Sequence, residues 1–152
     1  MRDLATQDAV LYRAYYSELL KTAFCLIGSR ETAEDIVQDV FVRCSGRLEG
    51  MEDPAFYLRR AVVNATRSLF RRRLVAQRWA TTVSAWDEMP NELVELRDVL
   101  MRLPVRQRSV VVLRYVVGLD DDEIAATLEC SRSTVRSSAR RGLGRLRKEL
   151  TP

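Results

Sequence analysis

The sequence predicts an all-α protein of two helical domains joined by a linker, the C-terminal one carrying a helix-turn-helix. Three observations predict it. Apolar residues recur at helical spacing along most of the chain, and even the β-branched cluster "RSVVVLRYVV" is flanked by charges at that spacing. Helix start and stop signals recur, among them Asp53-Pro54, Pro104, Gly118 and the acid run from Asp120. Between them, "ATTVSAWDEMPNE" at 80–92 has no clean period and contains Pro90, which reads as part of a linker. The expected boundaries are 1–76 for the first domain, 77–92 for the linker and 93–150 for the second domain.

Each element has its own justification. Residues 7–27 read as a helix with Val10, Tyr15, Leu19, Leu20, Phe24 and Ile27 as apolar contacts, broken by "GSRE". Residues 31–44 read as the next, burying Ala33, Ile36, Val37, Val40 and Phe41. Asp35, Gln38 and Asp39 fall on the face opposite Val37 and Phe41, and Asp39 stands four residues before Arg43 as a helical ion pair. "SGRLEGMED" reads as a loop. Asp53 then caps a third helix with Pro54 at its first position, running to about Leu74, with Tyr57, Leu58, Ala61, Val62, Ala65 and Leu69 on its packing side. Residues 93–101 form a helix, and a longer one opens at Pro104 and ends at Gly118 after Val117.

The last two helices carry the sharpest local signal. Asp120 and Glu123 have capping-box spacing, and Asp121 and Asp122 add negative charge to the first turn, where the helix dipole favours it. Ile124, Ala125 and Leu128 are the buried side. Ser131 starts the final helix, with Val135, Ala139, Leu143 and Leu146 on one side. Its other side carries Arg132, Ser133, Arg136, Ser137, Arg140 and Arg141. Two short helices, the second basic and rich in hydroxyls, fit a helix-turn-helix with a recognition helix, against the plainer reading of an amphipathic pair with a solvated face.

Charge is distributed unevenly along the 152 residues, although the net charge is only +4. Residues 1–58 hold 6 basic and 10 acidic side chains, and 59–79 hold 7 basic and none acidic. Residues 120–130 hold 5 acids and no base, and 131–152 hold 7 bases and 1 acid. Two basic elements in an acidic background suit two contacts with a polyanion. The chain has no histidine, no glycine-rich phosphate loop and no nucleophile motif, so neither an enzyme, a metal site nor a cofactor is expected. Cys25, Cys44 and Cys130 lie far apart in sequence and read as reduced thiols of a cytoplasmic protein. No window approaches a membrane span, "MRDLATQD" has no signal-like apolar run, and the short ending "KELTP" argues against an appended regulatory domain.

Three stretches, "AEDIVQDVFVR", "EDPAFYLRRAVVNATRSLFRRR" and "LPVRQRSVVVLRYVVGLDDDEIAATLECSRSTVRS", together resemble the extracytoplasmic-function sigma factors of the bacterial sigma-70 family, with an actinobacterial, SigE-like flavour. The resemblance spans about 10–74 and 93–150. It implies a factor that brings RNA polymerase core to specific promoters and aids promoter melting. It implies that Asp35, Gln38 and Asp39 meet the clamp helices of the beta prime subunit. It implies that the loop 45–53 takes up a flipped base of the −10 element, and that the next helix holds the melted strand. Phe56, Tyr57, Arg59, Arg60, Asn64, Arg67, Arg71, Arg72 and Arg73 are the candidates there. Aromatic faces and arginines can offset the few kcal/mol that base extrusion costs; Tyr57 has a core reading as well. The C-terminal domain would rest on the beta flap and read the −35 element through Arg132, Ser133, Arg136, Ser137, Arg140 and Arg141. The resemblance further implies a monomer when free and admits an anti-sigma factor as a partner. The rival is a dimeric helix-turn-helix transcriptional regulator with the same C-terminal domain.

The chain departs from the family pattern at three places. Ser68 stands where an aspartate is usual, four residues after the motif asparagine. Glu129 stands where the turn often has glycine, and a non-glycine residue in a left-handed turn costs about 1 kcal/mol. Ser138 and Ala139 replace larger residues, which predicts a loosely packed recognition helix or an unusual −35 preference.

Overall fold

The computed structural model describes residues 4–76 and 90–151, with side chains from 7–72 and 90–151. The described residues form α1 (Leu4–Ile27), α2 (Arg30–Cys44), α3 (Pro54–Ala76), α4 (Asn91–Leu100), α5 (Val105–Val111), a π-helical segment (Val112–Val117), α6 (Asp121–Leu128) and α7 (Arg132–Leu150). The expected linker falls mostly at 77–89, outside the described residues, and α4 starts at Asn91, two residues before the sequence expectation.

Local chemistry fixes the helix ends. Gly28 stops α1 with φ +83, and its amide donates to the Phe24 carbonyl at 2.8 Å. The positive φ makes this position one for glycine, and a Cβ there would lie 2.8 Å from Sδ of Met101, whose side chain would have to move. Ser29 caps α2 by accepting from the Thr32 amide. Asp53 accepts from the Phe56 amide at 3.0 Å and caps α3 ahead of Pro54. The capping box of Asp120 and Glu123 is complete, with both bonds at 2.8 Å. Ser131 caps α7 through the Thr134 amide.

The helix opened at Pro104 is not α-helical throughout. It widens into a π turn over Val112–Val117, where the amides of Gly118 and Leu119 both donate to the Leu113 carbonyl at 3.1 and 2.9 Å. The run Val110-Val111-Val112 crowds β-branched side chains along this helix. The wider turn keeps Val112 and Leu113 buried and leaves Tyr115 exposed.

Two apolar cores result. The first joins Leu19, Ala23, Phe24 and Ile27 of α1, Ala33, Val37 and Val40 of α2, and Leu58 and Val62 of α3. Each fully buried Leu or Val there contributes about 1.5–3 kcal/mol. The second gathers Leu100, Leu103, Val110, Leu113, Ile124, Leu128, Val135 and Ala139, and it also takes in Cys25 and Leu26 of α1 and Val63 of α3. Val10, expected as a contact, is 61% exposed near the free end of α1. Tyr57, placed on the packing side by periodicity, is 37% exposed. The looseness expected of α7 is not seen. Ser138, Ala139 and Gly142 are buried, and a Cβ on Gly142 would lie 2.9 Å from Cγ2 of Val111. The small residues bring α7 close to α5.

Burial also silences two thiols. The Cys25 thiol is pushed up to about 11 by burial, and burial raises that of Cys44. Both stay protonated and unreactive at neutral pH. Ellman's reagent is expected to titrate at most the half-buried Cys130 in the native chain and all three thiols in guanidinium. Fast native reaction of three thiols would contradict this core.

Candidate functional site

Three exposed faces carry the functional candidates. On α2, Asp35, Gln38 and Asp39 are all exposed, and Asp39 pairs with Arg43 at 3.0 Å. Gln38 lines a cleft of about 570 Å³ between α1 and α2 with Tyr12, Phe41, Val42 and Leu48. Val42 is 75% exposed, and Tyr12 stacks on Tyr16 at 4.6 Å between ring centroids. Sequence reasoning took the polar residues of this face and missed Val42 and Tyr12. Val42 lies four residues from Gln38, so the same face count could have found it.

The basic helix α3 divides its candidates among three environments. Tyr57, Asn64, Arg71 and Arg72 are exposed, and Phe56 is half-buried. Arg59 is tied to Glu18 of α1 at 2.7 Å. Arg60 pairs with Glu129, and Nη1 of Arg67 donates to the Leu128 carbonyl at 3.4 Å. The side chain of Arg73 lies outside the described residues. The sequence showed no acid within 59–79, yet Arg59 and Arg60 find acids on distant elements.

On α7, Arg132, Ser133, Arg136, Ser137, Arg140 and Arg141 all fall on the exposed side, opposite Val135 and Ala139. The acid run at the start of α6 does more than suit a helix dipole. Asp122 holds Arg132, and Asp121 holds Arg114 and lies 3.7 Å from Nε of Arg136. The guanidinium of Arg132 is held more firmly charged, by its hydrogen bond to Asp122 first. Glu129 adopts φ 54 and ψ 49 in the turn between α6 and α7, the left-handed conformation that the sequence anticipated there. Arg140 and Arg141 have no acidic partner among the described residues. Together α6, the turn and α7 make a helix-turn-helix whose basic helix projects its N-terminal half outward, as insertion in a major groove requires.

Among the described residues, no helix is long and apolar enough to cross a membrane, and no cluster of three His, Cys, Asp or Glu side chains is arranged for a metal ion.

Comparison with known proteins places both halves. Residues 11–74 match the family model for sigma-70 region 2, and residues 93–146 match that for sigma-70 region 4. The RNA polymerase sigma-E factor of Streptomyces avermitilis is 35% identical over 146 residues, covering 91% of this chain and 82% of its own. The ECF RNA polymerase sigma factor SigX of Bacillus subtilis is 25% identical over 159 residues, covering 93% and 82%. Among solved structures, CnrH in complex with the cytosolic domain of CnrY superposes with a TM-score of 0.70 at 27% identity, over 97% of this chain and 94% of that one.

Proposed function

The chain belongs to the sigma-70 family and is an extracytoplasmic-function sigma factor, a non-enzymatic protein that directs RNA polymerase to promoters; from that premise we propose how its three faces share the task. The α2 face of Asp35, Gln38 and Asp39, with Val42 and Tyr12 beside it, docks on the clamp helices of the beta prime subunit. The 45–53 loop and α3 take the −10 element as a melted strand. Tyr57 offers a ring for stacking, and Asn64, Arg71 and Arg72 offer polar and cationic contacts. The residues 93–150 form the −35 reader, with α7 in the major groove and the beta flap as their support. The protein works in the cytoplasm, is monomeric when free, and takes a protein regulator as CnrH takes the cytosolic domain of CnrY.

The observation that carries this reading is the coexistence in one chain of an acid-faced helix, a basic half-exposed helix and a capped basic recognition helix. A dimeric regulator accounts only for the last of the three. The test is transcription reconstituted with core polymerase on a promoter of this factor. Reversing charge with Asp35→Lys and Asp39→Lys together is expected to weaken core binding at least about tenfold, or about 1.4 kcal/mol. The control reverses Glu92 and Glu95, exposed acids of α4, and should leave binding near that of the unaltered chain. Equal affinities for the two double variants would remove α2 from the interface.

A further inference from the structure

One carboxylate stands between two guanidiniums beside the recognition helix. Asp121, in the first turn of α6, gives Oδ1 to Nη2 of Arg114 and turns Oδ2 toward Nε of Arg136, 3.7 Å away. The two arginines come from different elements. Arg136 belongs to α7, and Arg114 belongs to the π-helical segment that precedes α6. Gly118, at φ +88, turns the chain between that segment and α6, so Arg114 meets the acid seven residues further on.

The arginines hold this anion unequally. The Arg114 side chain is 30% exposed and hydrogen-bonded to Asp121, whereas that of Arg136 is 64% exposed and stands beyond hydrogen-bond distance. Water and salt screen the less exposed pair less. Two cations on one carboxylate also repel each other, so each weakens the other's hold. A carboxylate with both oxygens available pairs with arginine as a two-pronged fork. Here Arg114 takes one of the two oxygens, and Arg136 is left with a single loose approach.

We propose that Arg114 is a positioning residue for promoter reading: by engaging Asp121 it keeps Arg136 out of a two-pronged pair with that carboxylate and leaves its guanidinium free for a base edge. The inference rests on the assignment of α7 to the −35 element. Arg114 touches no DNA in this scheme and acts only through Asp121. When the factor is on DNA, Arg136 is shared between a base-held and a carboxylate-held state. The base-held state adds affinity only where the base suits it, whereas the carboxylate-held state contributes equally on every promoter. A firmer hold by Asp121 therefore draws the affinities for different −35 sequences together.

The test uses the full chain assembled with core polymerase. Competition binding measures how far a promoter of this factor is preferred over its single-base −35 variants. Arg114→Gln is expected to narrow that preference about three- to tenfold, although Arg136 is intact. Adding Asp121→Asn to the same chain is expected to restore the preference to within about twofold of the unaltered factor, because asparagine offers Arg136 no anion. Neither change touches the capping box of Asp120 and Glu123. A merely structural tie between Arg114 and Asp121 is broken in both chains, so it predicts the same loss in both. That result would overturn the proposal, as would an unmoved preference in Arg114→Gln. Arg136→Ala in the same series separates the inference from its premise. If alanine at Arg136 flattens the preference while Arg114→Gln leaves it unchanged, only the role of Arg114 is refuted. If alanine at Arg136 changes nothing, the −35 assignment of α7 falls and the proposal with it.

Discussion

Alanine at Arg108 is expected to lower the free energy of unfolding by about 3–5 kcal/mol. Arg108 is 6% exposed, and its guanidinium has no carboxylate beside it among the described residues. Four carbonyls surround it instead. Nη1 donates to Leu26 at 2.9 Å, Nε to Leu100 at 3.0 Å, and Nη2 to Leu103 at 2.9 Å and Met101 at 3.4 Å. Leu26 lies in the last turn of α1 and Leu100 ends α4, at the negative ends of the two helix dipoles, and the Leu100 carbonyl also accepts from the Leu103 amide at 3.0 Å. Burial lowers the pKa of Arg108, the direction expected for a cation denied water, while the carbonyls around it favour the charged form. Alanine would leave buried acceptors unpaired and a void over the Phe70 ring, on which the guanidinium lies 5.0 Å from the centroid. Lysine keeps the charge but lacks the planar fork, and should recover only part of the loss. Urea denaturation of the two variants measures both effects. A change within about 0.5 kcal/mol for alanine would mean that water replaces the guanidinium without cost.

Alanine at Arg136 is expected to flatten the preference among −35 variants by about 1–3 kcal/mol, the worth of a good bidentate base contact. Arg136 stands one to two turns inside α7, where recognition helices reach base edges, and its approach to Asp121 is a loose 3.7 Å. Arg147 lies eleven residues further on, about 16 Å along the axis, near the C-terminus of the helix. Its alanine variant should lower activity equally on all promoters or leave it unchanged. A panel of −35 mutants transcribed with alanine variants at 132, 136, 140 and 147 separates the positions. Sequence preference that moves only with Arg147 would place the reading end of α7 wrongly.

Helix boundaries were legible because their causes are local. Asp53 with Pro54, Asp120 with Glu123, and Ser131 each act within three residues, and each cap forms in the structure. The exposure of Asp35, Gln38 and Asp39 followed from the same short-range count. What was hidden depends on distant partners. Arg108 looked like one more cation in a basic stretch until its contact with Leu26, 82 residues away, placed it inside. Arg60 and Glu129 lie 69 residues apart, and periodicity cannot pair them. The same limit misplaced Tyr57 and Val10, since a helical period names a face without saying how far the neighbouring helix extends along it. The π turn has no period of its own to read. The tight seating of α7 came from residues whose small size had suggested looseness, because the sequence does not show that α5 moves in to fill the space.

The pairing of the α6 acids with the start of α7 grades the charge along the recognition helix. An arginine that arrives at DNA already holding a carboxylate exchanges one anion for another, and gains little from a phosphate alone. Arg132 is in that state, and Arg136 partly so. Arg140 and Arg141 have no such counterion among the described residues, which leaves them more of their attraction for a phosphate backbone. On the proposed −35 assignment, indiscriminate attraction is thereby moved away from the end of the helix that would meet base edges. At that end a contact would be favoured only where a base offers more than the aspartate it replaces, so the run of acids would act as an internal reference against which promoter sequence is weighed.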